Sequence, residues 1–231
     1  LAQLDAAVKA DPGEIATWRR AGRVFQSLGR PRDALARYQR ALAIAPRDTE
    51  SLVAVANLHL ALDEFDQART IALSMAGSPA EESLGQYVLG RTAIAQGKHE
   101  EAVVALARAT RLNPKFGAAW AALGDAYLGL KDERKARESL IKAAALPEAS
   151  ADVFRRLAEL ESRDGRHAQA LAVRERAIAL APSDVELRLA QARTYAALGR
   201  WQDSGNAARE ASKLAPKNVD PLLLAAEAAH R

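Results

Sequence analysis

The sequence predicts an all-α solenoid, six helix-turn-helix repeats in a row with a half repeat at each end. Three observations predict it. Prolines at 12, 46, 114, 182 and 216 share one 34-residue grid, and the two grid points without proline, Ala80 and Glu148, follow Pro79 and Pro147. Small residues keep the same period in three rows: Ala34, Ala68, Ala102, Ala136, Ala170 and Ser204; Ala7, Ala41, Met75, Ala109, Ala143, Ala177 and Ala211; Gly22, Ala56, Gly90, Gly124, Ala158, Ala192 and Ala226. Between Gly117 and Pro147, Trp120, Leu123, Gly124 and Tyr127 mark one helical face, a polar break follows, and Ala136, Leu140 and Ala143 mark a second.

The elements follow in order. Residues 1–14 carry Leu4, Ala7 and Pro12 on the rows of a second (B) helix, with no first (A) helix before them. Six full repeats cover 15–48, 49–82, 83–116, 117–150, 151–184 and 185–218, and no domain boundary or long linker is expected. A large residue opens most of them, Trp18, Leu52, Trp120 and Phe154, to fill the space between neighbours. The small rows mark helix contacts, because axes approach to about 8–10 Å only over small side chains. Gly29, Gly97, Gly165 and Gly199 recur at the A-to-B turn, where a left-handed residue ends helix A. Ser78 to Glu81 and Ser183 to Glu186 have capping-box spacing. Residues 219–231 form a last A helix, with Leu222, Ala225, Ala226 and Ala229 on the interface rows and Leu223 and Leu224 apolar as well. A terminal cap is polar outside, so the chain is expected to be an excerpt of a longer array.

Composition narrows the function. Of 231 residues, 49% are hydrophobic but only 5% aromatic, the Ala/Leu balance of a helical array. No apolar run is long enough for a transmembrane helix. Cysteine is absent, which removes disulfides, thiolate metal sites and cysteine nucleophiles. His59, His99, His167 and His230 fall in different repeats without metal-ligand spacing, and no phosphate-binding glycine loop occurs. No catalytic, cofactor-binding or metal-binding residue is expected, and no cofactor. Charge is uneven. Residues 15–48 hold eight arginines against Asp33 and Asp48, and residues 49–82 hold six acids against Arg69. Neighbours of opposite charge attract and help to fix the stacking order. The acidic second repeat also breaks any continuous basic face, so no nucleic acid partner is expected.

These residues resemble the tetratricopeptide repeat. The order of Trp120, Leu123, Gly124, Tyr127, Ala136, Leu140 and Ala143 matches its signature, and Trp18, Gly22, Phe25, Ala34, Tyr38, Ala41 and Pro46 match almost as well. The resemblance covers essentially the whole chain. Departures at Gln86, Arg188, Gln191 and Ser204 imply looser packing in the third and sixth repeats. The resemblance implies a right-handed superhelix whose concave groove is lined by non-signature positions of the A helices.

Carried over, one groove row is Arg23, Asn57, Arg91, Asp125, Glu159, Arg193 and Glu227. A second is Arg19, Val53, Tyr87, Ala121, Arg155, Leu189 and Leu223, and a third Gln26, Leu60, Ile94, Leu128, Ser162 and Ala196. The expected partner-binding set is Arg19, Arg23, Val53, Asn57, Leu60, Tyr87, Arg91, Ile94, Asp125, Leu128, Arg155 and Glu159. It implies a peptide or partner helix along the apolar middle, with an acidic flank near Arg19 and Arg23. The family's two-carboxylate clamp would need Arg19, Arg23, Ala54, Leu84 and Val88, and the last three lack the chemistry. The expected function is therefore a non-catalytic protein-interaction scaffold, with a protein or peptide partner and self-association through open array ends. Two finer forms fit. One is the periplasmic arm of a bacterial exopolysaccharide export assembly. The other is the substrate-recruiting region of a larger enzyme such as a glycosyltransferase. Compartment is left open between the bacterial envelope and the cytoplasm.

Overall fold

A computed structural model describes residues 11–230. The half repeat expected over residues 1–14 lies largely outside the described residues. Thirteen helices and no strand occur among the described residues. In chain order they are α1 (Ile15–Ser27), α2 (Pro31–Ile44), α3 (Thr49–Ala61), α4 (Phe65–Ser74), α5 (Pro79–Ala95), α6 (His99–Leu112), α7 (Gly117–Gly129), α8 (Glu133–Ala144), α9 (Ala151–Arg163), α10 (His167–Leu180), α11 (Val185–Ala197), α12 (Trp201–Leu214) and α13 (Asp220–Ala229). Odd-numbered helices are A helices and even-numbered ones B helices. The B helices start at Pro31, Phe65, His99, Glu133, His167 and Trp201, each 34 residues after the last. The chain forms two compact units, one up to Leu130 and one from Lys131 onward.

In the N-terminal unit each helix packs on the next from α1 to α7, and α3, α5 and α7 also touch as successive A helices. In the C-terminal unit the same succession runs from α8 to α13, with α11 against α13.

One turn repeats between A and B helices. At the first, Arg30 N–H donates to Phe25 O (2.9 Å) and Gly29 N–H to Gln26 O (3.0 Å), the paired bonds of a Schellman end. Gly29, Gly97, Gly165 and Gly199 take φ of 66°, 71°, 72° and 71°. Asp63 (φ 58°) and Lys131 (φ 59°) fill the same register in the other two turns, left-handed without glycine. The next residue already caps helix B, so the reversal needs a single left-handed residue.

Trp18 Nε1 donates to Pro12 O, and Trp120 Nε1 to Pro114 O, each at 2.9 Å. In these two repeats the tryptophan thus ties down the loop containing the grid proline. The A-helix caps are local. Asp48 and Asp184 accept from Ser51 N–H and Leu187 N–H, each at 3.1 Å. The cap expected at Ser183 therefore sits one residue later, because the Asp184 carboxylate reaches the first turn. Ser78 does cap α5, accepting from Glu81 N–H at 3.2 Å, while the Glu81 carboxylate turns back to Gly77 N–H (2.9 Å).

The small rows are the helix contacts. Ala34, Ala68, Ala102, Ala136 and Ala170 have no exposed surface. A Cβ on Gly22 would lie 2.5 Å from the Tyr38 ring, and one on Gly90 2.4 Å from Leu106 Cγ. Where the A helix offers alanine instead, the B-helix counterpart is small in two repeats, Ala72 beside Ala56 and Ala208 beside Ala192, whereas Ala158 is matched by Arg174. Gly85, which the small-row reading does not single out, is also tight, since a Cβ there would meet Ala72 O at 2.5 Å.

Two departures follow. In α13 only Ala225 of the expected interface residues packs inward, with Leu224, on the cluster of Ala192, Ala207 and Ala208. Leu222, Ala226 and Ala229 are exposed. The helix lies on α11 and α12, and no described residue covers its opposite face. Ser204, at the sixth position of an otherwise all-alanine row, is fully buried and its Oγ has no hydrogen-bond partner. An unsatisfied buried hydroxyl costs about 1–3 kcal/mol. Ser204→Ala is expected to stabilise the chain by about 1 kcal/mol, read as a raised urea midpoint at constant slope.

Candidate functional site

In the N-terminal unit the expected groove residues sit on α1, α3, α5 and α7. Arg91 Nη1 donates to Asn57 Oδ1 at 2.6 Å. These residues are 34 positions apart, so the bond shows neighbouring A helices presenting equivalent positions side by side. The Arg91 guanidinium also stands 5.6 Å from the Tyr87 ring centroid, over its face. Tyr87 packs on Phe116 in a tilted pair (centroids 4.9 Å apart), which holds the phenol at the seam between α5 and the start of α7. Val53, Tyr87, Ile94 and Leu128 are half-buried, as are Asn57, Arg91 and Asp125, whereas Leu60 and Ala121 are buried in the helix contacts. The apolar middle is thus a strip of partly covered side chains, not a broad open patch.

The basic end is different from a free docking surface. Arg19 Nη1 lies 3.0 Å from Asp48 Oδ1 and 2.9 Å from Glu50 Oε2, and Arg23 Nη1 lies 2.8 Å from Glu50 Oε1. These bridges join α1 to the start of α3, the attraction between neighbours read from the uneven charge. Each is partly exposed and contributes about 0–1 kcal/mol. An acidic flank would have to displace Asp48 and Glu50 to use these arginines. Just behind them Tyr38 Oη donates to Gln26 Oε1 at 2.9 Å. Burial raises the Tyr38 phenol pKa above its ordinary value, against the pull of Arg23.

In the C-terminal unit Arg155 and Glu159 lie on α9. Arg155 is half-buried and bridges to Asp152 (3.3 Å). Glu159 is exposed, and so is Arg193 on α11. Sequence reasoning passed over Arg174 on α10. It is 6% exposed, and Nη1 donates to Ser162 Oγ (3.0 Å) and to Thr194 Oγ1. The signal was available: Arg174 shares its register with Tyr38, Ala72, Leu106, Leu140 and Ala208, none of them charged.

The remaining polar clusters are structural. His59 Nδ1 lies 2.6 Å from Glu64 Oε2 across the α3–α4 turn, and the His99 ring fills the space beside Gly129. Among the described residues no group of three or more His, Asp or Glu could hold a metal ion, and no helix is long and apolar enough to cross a membrane. Ala54, Leu84 and Val88 face their neighbours without a group that could grip a carboxylate.

A family model described as tetratricopeptide repeat matches residues 25–88 and 93–160, and a second of the same description matches 155–219. Superkiller complex protein 3 of Mus musculus is 30% identical over 138 residues, 58% of this chain. The human protein of that name is 29% identical over the same share. The matched stretch spans only 9% of either protein. Among solved structures, TTC0263, a thermophilic TPR protein of Thermus thermophilus, aligns with a TM-score of 0.65 at 31% identity, over 80% of this chain and 99% of its own. The pilF protein of Pseudomonas aeruginosa aligns at 0.70 and 18% identity, over 94% and 98% of the two chains, and shares the fold. The chain belongs to the tetratricopeptide repeat family, a family of protein-interaction modules.

Proposed function

We propose that this chain is a binding scaffold that takes an extended peptide or a partner's helix along the A-helix face of α3, α5 and α7. The Arg91–Asn57 bond carries the reading, because it makes one groove row a continuous strip across two repeats. Val53, Tyr87, Ile94 and Leu128 supply apolar contact along that strip, and Asn57, Arg91 and Asp125 supply its polar edge. The face is half-covered already, so a partner adds area to side chains whose rotamers are set by packing, which lowers the ordering cost of binding. Arg19 and Arg23 are best read as repeat-to-repeat bridges. Leu60 acts through packing, and Arg155 and Glu159 belong to the C-terminal unit. Nothing among the described residues favours the export arm or the enzyme-recruiting region over a plain scaffold.

The test uses a partner captured with the full chain and then purified. Tyr87→Ala with Leu128→Ser is expected to raise Kd by about tenfold or more, as truncation of central apolar anchors does. Tyr87→Ala also removes the Phe116 contact. Ile94→Ser with Leu128→Ser therefore serves as the second variant, and helical circular dichroism confirms the fold. Unchanged affinity in both folded variants contradicts the assignment.

A further inference from the structure

Arg69 on α4 and Arg137 on α8 hold the same position two repeats apart, but their surroundings differ. Arg137 reaches the next A helix, where it lies 3.4 Å from the Glu161 carboxylate and bonds that of Asp164. On α5 the positions of those two acids are taken by Ala93 and Gln96. Arg69 is exposed, and among the described residues it forms no hydrogen bond or ion pair. The arginine is present and its two carboxylates are not.

A cavity of about 150 Å³ occupies the difference. Arg69, Ala93 and Gln96 line it, together with Thr92 from α5 and Glu101 and Ala105 from α6. Around Arg137 the equivalents of Thr92, Ala93 and Ala105 are Leu160, Glu161 and Val173, each a larger side chain. Truncation at three neighbouring positions therefore opens the space in this pair of repeats. Pockets for drug-sized ligands hold about 300–1,000 Å³, so this one suits a molecule of a few heavy atoms. Residues 92, 93 and 96 lie on the side of α5 opposite Tyr87, Arg91 and Ile94, at about 100° of rotation per residue. The cavity is thus separate from the A-helix strip.

Glu101 lines the same cavity, is exposed, and likewise has no bonded partner among the described residues. Arg69 enters from α4 and Glu101 from α6, and the two do not pair with each other. A simple anion meets the repulsion of Glu101, and a simple cation that of Arg69. A molecule carrying both a carboxylate and an ammonium group satisfies both walls. We propose that this cavity binds a free α-amino acid with a small apolar side chain. Its carboxylate goes to Arg69 and Gln96, in the role that Glu161 and Asp164 play beside Arg137. Its ammonium group goes to Glu101, and its side chain rests against Leu89, Ala93 and Ala105, all of which line the cavity. The ligand then links α4, α5 and α6, as the Arg137 network ties α8 to α9.

The test is a titration of the full chain with L-valine, followed by the 15N shifts of the Arg69 Nε–H and the Gln96 side-chain amide. Isovalerate, which lacks the ammonium group, and L-valinamide, which lacks the carboxylate, are the comparisons. The expected result is a saturable shift at both residues with L-valine, and affinities lower by about tenfold or more for each analogue, since each loses one charge-assisted contact. Arg69→Gln and Glu101→Gln are expected to weaken valine binding by a similar factor while the melting temperature of the free chain stays the same. Ala93→Glu places a carboxylate where Glu161 stands beside Arg137. It is expected to abolish valine binding with the free chain at least as stable, a result that an ordinary surface arginine does not produce. His59, Tyr127 and Tyr195 share that register, so a larger side chain fits there. Absence of a saturable shift at Arg69, equal affinity for isovalerate and L-valine, or wild-type affinity in folded Ala93→Glu or Arg69→Gln overturns the proposal. If Ala93→Glu loses helical signal, Arg69→Gln and the two analogues decide in the same way. Valine at this site touches neither Tyr87 nor Leu128, so its failure leaves the A-helix strip standing, and loss of that strip leaves this result standing.

Discussion

Glu161→Ala is expected to lower unfolding free energy by about 3 kcal/mol, the low end of the range for breaking a buried ion pair. Glu161 is 7% exposed near the end of α9 and is held between two arginines. Arg166 Nε bonds one carboxylate oxygen, and Arg137 Nε lies 3.4 Å from the other. That second contact is an ion pair by distance only, since Arg137 Nε makes no hydrogen bond. Both arginines also reach Asp164, Arg166 at 3.0 Å. The side chain of Arg137 is 15% exposed and that of Arg166 39%. Removing Glu161 leaves Asp164 as the single carboxylate shared by both arginines, and water reaches the more exposed Arg166, hence the low end.

The network also fixes local geometry. Glu161 O accepts the Arg166 N–H at 2.9 Å in the turn that ends α9, and Arg137 ties that turn to α8. Glu161→Gln should cost less than alanine, because its amide oxygen still accepts one bond. Urea unfolding followed by circular dichroism checks both. A loss below about 1 kcal/mol for alanine would place the network with ordinary surface pairs.

Leu106→Ala is expected to cost about 2–5 kcal/mol, towards the upper part of that range. Leu106 has no exposed surface and packs in a cluster with Ala102, Leu123 and Ala126. Its other side is Gly90, which has no side chain to move into the space. A cavity there stays open unless α5 and α6 close together, and the alanines along the contact already touch. The same urea experiment checks the value, and a change under about 1 kcal/mol would mean that the hairpin collapses to fill the hole.

The residues show which features the sequence made legible. The B helices begin on a fixed 34-residue ruler because each follows a one-residue left-handed turn, and four of those turns announce themselves as glycine. Asp63 and Lys131 do not, and only the register betrays them; at Asp63 the same paired bonds form, Glu64 N–H to His59 O (2.8 Å) and Asp63 N–H to Leu60 O (3.2 Å). The A helices start less regularly: Asp48 and Asp184 cap α3 and α11 on the ruler, Ser78 caps α5 early, and α1, α7, α9 and α13 begin without a side-chain cap.

The candidate site was legible as rows of positions but not as bonds. Eight arginines in the first repeat are plain to see. That Arg19 and Arg23 reach Asp48 and Glu50 depends on the reach of flexible side chains between helices. Leu60 and Tyr87 share the apolar character expected of the groove, but Leu60 is buried and Tyr87 only half-buried, its ring packed on Phe116 from the start of the next A helix. Arg174 stood out of its row as a charge among apolar residues. The hydroxyls that receive it come from two other helices, which periodicity alone does not pair.

The most direct measurement of the packing account is a double-mutant cycle on Gly90→Ala and Leu106→Ala. Alone, Gly90→Ala drives a methyl group into Leu106 and is expected to cost about 1–3 kcal/mol. With Leu106 shortened, that methyl group enters the space it leaves. The account predicts a double variant more stable than Leu106→Ala alone, with a coupling of at least about 1 kcal/mol. Losses that simply add, to within about 0.5 kcal/mol, would contradict it.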